Sequence, residues 1–432
     1  MSPSPETVGI IGGGASGALA AIHLLRESPV PVRVVVVEPR AALGRGVAYG
    51  TADVGHLLNV RAGCMSAFPD EPDHFVQWAH RLSDTDARAF LPRAWYGEYL
   101  RSMLGPVDHV RARVADVVRD GSRVAMVLDG GSVVPCDRMV LAPGPPPPRW
   151  PVPLGGPGGR WIEDPWAPGA LAELGPEEPV LLVGTGLTAV DIALGLGAAG
   201  HQRIVATSRH GLLPAAHPDE PFPTLPVVPP TRPTARSLLD WAHATAAEGG
   251  DWRPVVDALR PHTDAIWGAL SEAERRRLLR HVQRRWEVLR HRMAPSVATR
   301  VSTMRQSGQL AVVTGGVRSA RISGGGIDVV LADRTVRFGA VVNCSGPPPD
   351  IRRSGHPLIR ALLARGVVRP GPLGLGLDTD DNGIIPGTDR RLWLVGPLRR
   401  GHAWETTAVP EIRGQAAALA RAMWRMPAVV GA

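Results

Sequence analysis

Lysine is missing from this 432-residue chain, so its 48 Lys/Arg positions are all arginine. The arginines are spread over every segment, and aromatic residues amount to only 5%. The net charge of +8 therefore forms no concentrated basic face, and no nucleic-acid partner is expected. Cysteine is scarce too. Cys64, Cys136 and Cys344 never form a Cys-x-x-Cys pair, which speaks against a structural zinc site and a redox-active dithiol, and no metal is expected. Long apolar runs are also lacking, since Gly, Asp or Glu interrupts each before spanning length, and the opening MSPSPE has no basic region. A soluble, cytoplasmic protein with no membrane partner is the expectation. With 44% hydrophobic residues, a chain of this length has material for two or three domains.

Residues 8–17 (VGIIGGGASG) read as a buried strand turning into a helix. The spacing Gly12-x-Gly14-x-x-Gly17 is the dinucleotide fingerprint: a tight turn, close approach to a pyrophosphate, and close packing of helix on strand. The helix, opening at Ala15 and Ser16, aims unpaired backbone N–H groups at the phosphates. A second strand, 32–37, ends in Glu38 about twenty residues on, where a ribose hydroxyl needs an acceptor.

The loop 44–51 (GRGVAYGT) has Arg45 as its one charge, and 56–65 (HLLNVRAGCM) follows. Loops after early strands of such a fold lie at the carboxyl edge of the sheet, where the ligand sits, so their polar residues are candidate cofactor contacts. For His56 and Asn59 the plain alternative is a satisfied loop side chain. Residues 110–141 alternate, with Asp120-Gly121 and Asp129-Gly130 as turns, and read as a β-meander ending in a Pro/Gly bend at Pro143-Gly144. A Pro/Gly-rich linker through 159 puts a domain boundary near 150.

Residues 180–194 (VLLVGTGLTAVDIAL) repeat the opening design with Gly184-x-Gly186-x-x-Ala189. The next strand closes on Ser208-Arg209-His210, and an arginine there suits a 2′-phosphate, favouring NADPH over NADH. The alternative is that Ser208 and Arg209 only solvate the strand end. Residues 231–293 read as helical, with a capping-box spacing at Ser271–Glu274 and a core stripe of Leu278, Leu279, Val282, Trp286, Leu289 and Met293. Its cationic flank, above all Arg290-His291-Arg292, reads either as solvated or as the wall of a substrate cleft. Residues 310–345 are strand-rich and end in VVNCSG, which echoes 140–144 and is expected to carry the chain back to the first domain. A last strand, 392–395, leads through Gly396 and GHAWE to a helix over 410–423. The fold class is therefore α/β, with two Rossmann-like, three-layer dinucleotide-binding domains.

The ordered set GGGASG, GRGVAYGT, HLLNV, CMSAFPDEPDHFVQW, VGTGLTAVD, DWRPVVDALRPHTDAIW, RHRM, NCSGPPP and GHAWETTAVPEIRGQA resembles the FAD/NAD(P)-binding protein family related to amine N-hydroxylating, class B-like flavin monooxygenases, over nearly the whole chain. The resemblance implies an FAD domain from 1–150 with 336–432, and an NADPH domain over 160–335 that carries the helical insertion, about 231–293. It implies that Gly12, Gly14 and Gly17 hold the FAD pyrophosphate and Glu38 the ribose. His56, Asn59 and Met65 approach the flavin, and Glu405, Thr406 and Thr407, with Gly396 and Trp404 nearby, meet it from the other side. Related enzymes reduce FAD with NADPH, add oxygen at C4a, and pass one oxygen atom to a nucleophilic substrate. The implied partners are molecular oxygen and a small amine or amino acid, with His56, Asn59, Arg290, His291 and Arg292 nearest the chemistry. Two other readings stand beside it: a flavin dehydrogenase or oxidase of a small metabolite, and a non-enzymatic redox-sensing module. A homo-oligomer stays open.

Overall fold

A computed structural model describes residues 5–153, 158–223 and 225–425. The strand Glu6–Ile11 is central to a five-stranded sheet in the order Leu392–Leu394, Arg138–Leu141, Glu6–Ile11, Val32–Val37, Asp108–Val110, all parallel. Its inner strands are buried on both faces, which is why they read as unbroken apolar runs. Helices Ala15–Glu27, Arg93–Met103 and Val409–Arg425 cover one face. The antiparallel strands Val114–Asp120, Arg123–Leu128 and Val133–Cys136, with helix Pro357–Ala364, cover the other. Arg138–Leu141, which the alternating pattern put at the end of the meander, is a fully buried strand of the parallel sheet.

The second domain repeats this plan. Its parallel sheet runs Leu310–Thr314, Ile204–Ser208, Val180–Val183, Ala340–Asn343, Trp161–Ile162. Helices Leu187–Ala198 and Pro295–Gln306 lie on one face and the antiparallel strands Val317–Ser323, Gly326–Leu331 and Arg334–Phe338 on the other. The boundary at 335 is corrected here. Ala340–Asn343 pairs in register with Val180–Val183, so the second domain extends past it and the chain returns to the first sheet only afterwards. The same strand-to-Gly bend closes both domains, and its local pattern does not say which sheet it joins.

Between Ile204–Ser208 and the helix Pro295–Gln306 the described residues make five α-helices: Ala235–Gly249, Arg253–Leu259, Thr263–Ala269, Glu272–His281 and Gln283–Arg290. Ser271 caps its helix, its Oγ accepting Glu274 N–H at 3.3 Å, but the Glu274 carboxylate accepts Ala235 N–H at 2.8 Å and so caps a neighbouring helix. The stripe breaks at Val282. Met293 is buried, whereas Leu278, Leu279 and Trp286 are half-buried around Trp267 and Leu270. His281 and Arg285, which share the cationic flank with Arg292 in the sequence pattern, are exposed.

Candidate functional site

Both fingerprints are built to the same close tolerances. Gly12 (φ +97°) and Gly184 (φ +133°) have left-handed backbones, and a β-carbon would lie 2.3 Å from Ala142 O at the first and 2.1 Å from Cys344 O at the second. A β-carbon at Gly17 would come 1.8 Å from Gly12 O, so the helix packs directly on the turn. At the mouths the reverse holds. Gly186 has nothing within 4 Å of that position, and Gly14 meets only Gly46, at 3.4 Å. Neither following helix has a side-chain N-cap, so first-turn N–H groups, those of Ala15 and Ser16 included, are left for an anion. Ala189 is packed in the core of the second domain.

Glu38 is buried at the end of the second strand, where Oε2 accepts Gly13 N–H at 2.9 Å and Oε1 accepts Arg40 N–H at 3.0 Å. A carboxylate held this way keeps lone pairs for a ribose hydroxyl, so the cradle and the acid fit an FAD pyrophosphate and ribose. Gly44 N–H bonds Gly13 O at 2.8 Å and ties the GRG loop to the fingerprint, while the Arg45 guanidinium is paired with Glu98. Gly396 (φ +89°) closes on the same place: a β-carbon there would lie 2.5 Å from Ser16 Oγ. Its carbonyl accepts Thr406 Oγ1–H at 2.7 Å, and Gln415 bridges Gly396 N–H and Thr406 Oγ1. Thr407 is exposed beside them, and Met65 is buried in the first domain's core.

At the second site Ser208 is occupied in shaping the loop, its Oγ paired with Thr185 Oγ1 at 2.8 Å and accepting Gly211 N–H at 3.0 Å. Arg209 is exposed, and among the described residues no carboxylate pairs with it.

His56 and Asn59 lie where the two domains meet. His56 Nδ1 is 2.7 Å from Thr51 Oγ1, Nε2 is 3.5 Å from Asp53 Oδ2, and the ring stands edge-on to Trp166. Asn59 offers its backbone carbonyl to His217 Nε2–H at 3.1 Å. The neighbouring ion pair Arg93–Asp191, 2.7 Å and nearly buried, joins helix Arg93–Met103 to helix Leu187–Ala198. Burial raises the Asp191 pKa, with Arg93 and then His56 opposing it. Asp191 was visible only as the acid ending VGTGLTAVD, and Arg93 carried no signal.

The cationic wall is corrected by its partners. Arg292, 1% exposed, bonds Asp257 at 3.0 Å and Leu289 O at 2.7 Å and stacks over Trp252. Arg290, also buried, faces Glu405 at 3.4 Å and Glu411 at 3.6 Å, and Arg260 grips Glu411 from the other side. Burial opposes ionisation of Glu411, but the Arg260 guanidinium, with Arg290 behind it, outweighs this and holds the carboxyl below its usual range. Glu405 accepts Trp286 Nε1–H at 3.0 Å, and Trp404 stacks on Trp267 at 4.7 Å. Arg290, Glu405 and Trp404 thus bolt the insertion to the 401–411 segment, whereas Arg292 ties the insertion together internally. His291 differs: it is half-buried and its ring has no hydrogen-bond partner among the described residues, and burial, then Arg290, push its pKa down.

Among the described residues no metal-binding cluster occurs, and no helix is long and apolar enough to cross a membrane. Residues 9–146 match the model of an FAD-NAD(P)-binding family. No curated protein matches the chain. Among solved structures, the Kutzneria sp. 744 ornithine N-hydroxylase KtzI is 16% identical with a TM-score of 0.65, over 98% of this chain and 99% of that one. The Pseudomonas aeruginosa ornithine hydroxylase PvdA is also 16% identical, with a TM-score of 0.62 and the same coverage. The bacillithiol disulfide reductase of Bacillus cereus is 15% identical with a TM-score of 0.56, again over 98% and 99%. The matched stretch holds the first fingerprint and Glu38, and the chain as a whole shares the fold of these solved structures.

Proposed function

We propose that the chain is an FAD-dependent, NADPH-using monooxygenase that N-hydroxylates a small amine or amino acid. The observation that carries this is the pair of open cradles with different partners, a buried acid, Glu38, behind the first and a free arginine, Arg209, behind the second. Bound FAD supplies hydride acceptance and oxygen activation. The protein binds and orients it through Gly12–Gly17 backbone groups, Glu38 and the Gly396–Thr406 closure, and the insertion shields the approach from water. His291, held neutral, is the side chain of the insertion suited to take up a proton. His56 and Asn59 act by holding the domains together. The likeness to two ornithine hydroxylases supports an amino-bearing substrate. Thiol relay is the weaker alternative: burial pushes the Cys136 thiol up to about 12 and the Cys344 thiol higher, and exposed Cys64 has no cysteine beside it.

The test is oxygen uptake by the FAD-loaded protein with NADPH across a panel of amines and amino acids, with product mass measured. Uptake stimulated by one amine and a hydroxylated product are expected. NADPH oxidation that never oxygenates an amine overturns the proposal and favours a dehydrogenase or oxidase.

A further inference from the structure

The insertion sends one cation back onto the second fingerprint. Arg284 Nη2 donates to Thr185 Oγ1 at 3.0 Å and to Leu212 O at 2.8 Å. Thr185 stands between Gly184 and Gly186 and is itself buried, with its hydroxyl donating to Leu212 O at 2.7 Å. These contacts occupy one terminal nitrogen and leave Nε and Nη1 as donors. The nearest carboxylate, Glu287, is 3.8 Å from Nη1 and is shared with Arg400 at 3.2 Å. Arg284 is therefore a positioned guanidinium, 30% exposed, beside an uncapped helix N-terminus whose mouth is open.

We infer that Arg284 binds the pyrophosphate of the dinucleotide at this second site. The inference rests on the reading that this site takes the nicotinamide dinucleotide. A helix N-terminus offers only about half a positive charge against a pyrophosphate carrying about two negative ones. Arg209, at the end of the second strand, is placed for the 2′-phosphate instead. Arg284 sits at the fingerprint turn, where the pyrophosphate of NADPH and NADH alike would lie. Because the cation is carried by the insertion, the bound dinucleotide would add a further tie between the insertion and the second domain, beside those of Arg284 to Thr185 and Leu212.

Calorimetric titration of the FAD-loaded protein with NADP+, NAD+ and ADP-ribose tests this without turnover. Arg284→Ala and Arg284→Gln each raise Kd for all three ligands about tenfold, whereas Arg284→Lys recovers part of the loss. Arg209→Ala raises Kd for NADP+ alone. Retained flavin absorbance and an unchanged melting temperature show that each variant is folded. Unchanged affinities in Arg284→Ala overturn the inference, as does a loss confined to NADP+. A loss in Arg284→Ala that Arg284→Gln restores also overturns it, because the side chain then only props the loop. Tight dinucleotide binding without oxygenated product would sink the monooxygenase reading and leave this one standing.

Discussion

Gly184 lies against the Cys344 carbonyl so closely that an alanine methyl would sit 2.1 Å from its oxygen. The backbone there is also left-handed, so neither rotation nor small shifts relieve the collision. Gly184→Ala should cost on the order of 3 kcal/mol, concentrated in the second domain. The expected outcome is a protein that still shows bound-flavin absorbance but is no longer reduced by NADPH. Gly12→Ala, set against Ala142 in the same way, should do the opposite and lose FAD.

Removing Arg93 leaves Asp191 buried between the domains without its counter-ion. Arg93→Ala is expected to destabilise by about 3 kcal/mol, and Asp191→Asn by less, because a neutral amide costs less to bury unpaired. A double-mutant cycle on chemical unfolding checks the coupling. Additive effects would mean that the pair is not an interdomain latch.

His217 gives the interface a pH dependence. Burial, with Arg292 nearby, lowers its pKa from 6.5 to about 4 while Nε2–H donates to Asn59 O. The unfolded chain therefore binds a proton that the folded one refuses between pH 6.5 and about 4. Stability is complete above pH 6.5 and falls through that window as pH drops, by up to ~3 kcal/mol. Melting temperatures of wild type and His217→Gln, which keeps a donor but does not titrate, should converge at pH 7 in slope and diverge towards pH 5.

Trp267→Ala removes the Trp404 stack and the Nε1–H bond to Gly401 O at 3.0 Å. The expected loss is about 3–4 kcal/mol, felt as loosening of the insertion and not of either sheet. Limited proteolysis should cut first between residues 235 and 290, with flavin content retained. Uncoupled cleavage elsewhere would show that the insertion is held by other contacts.

Much of this organisation was legible in the sequence because parallel strands and glycine turns are local signals. The two fingerprints announce themselves within ten residues, and Glu38 by its place at the end of the strand about twenty residues on. What stayed hidden depends on partners distant in the chain. Arg292 looked like a substrate cation until Asp257 and Trp252 closed on it, and Arg290 until Glu405 and Glu411 did. Ala340–Asn343 carries the same apolar signature as Arg138–Leu141, and only its register with Val180–Val183 assigns it to the second sheet. Arginine so abundant in the sequence hides which few are left unpaired.

The first sheet is completed by Leu392–Leu394, and the helix Ala15–Glu27 packs on Val409–Arg425, whereas every strand of the second sheet lies between 161 and 343. During vectorial synthesis the second domain can therefore finish while the first waits for Leu392–Leu394 and Val409–Arg425 to emerge. The opening fingerprint must wait for the seat at Gly396 to be made, so flavin loading is expected only once Gly396 and the helix Val409–Arg425 have emerged, and a truncation before 390 should yield a folded second domain with no flavin at all.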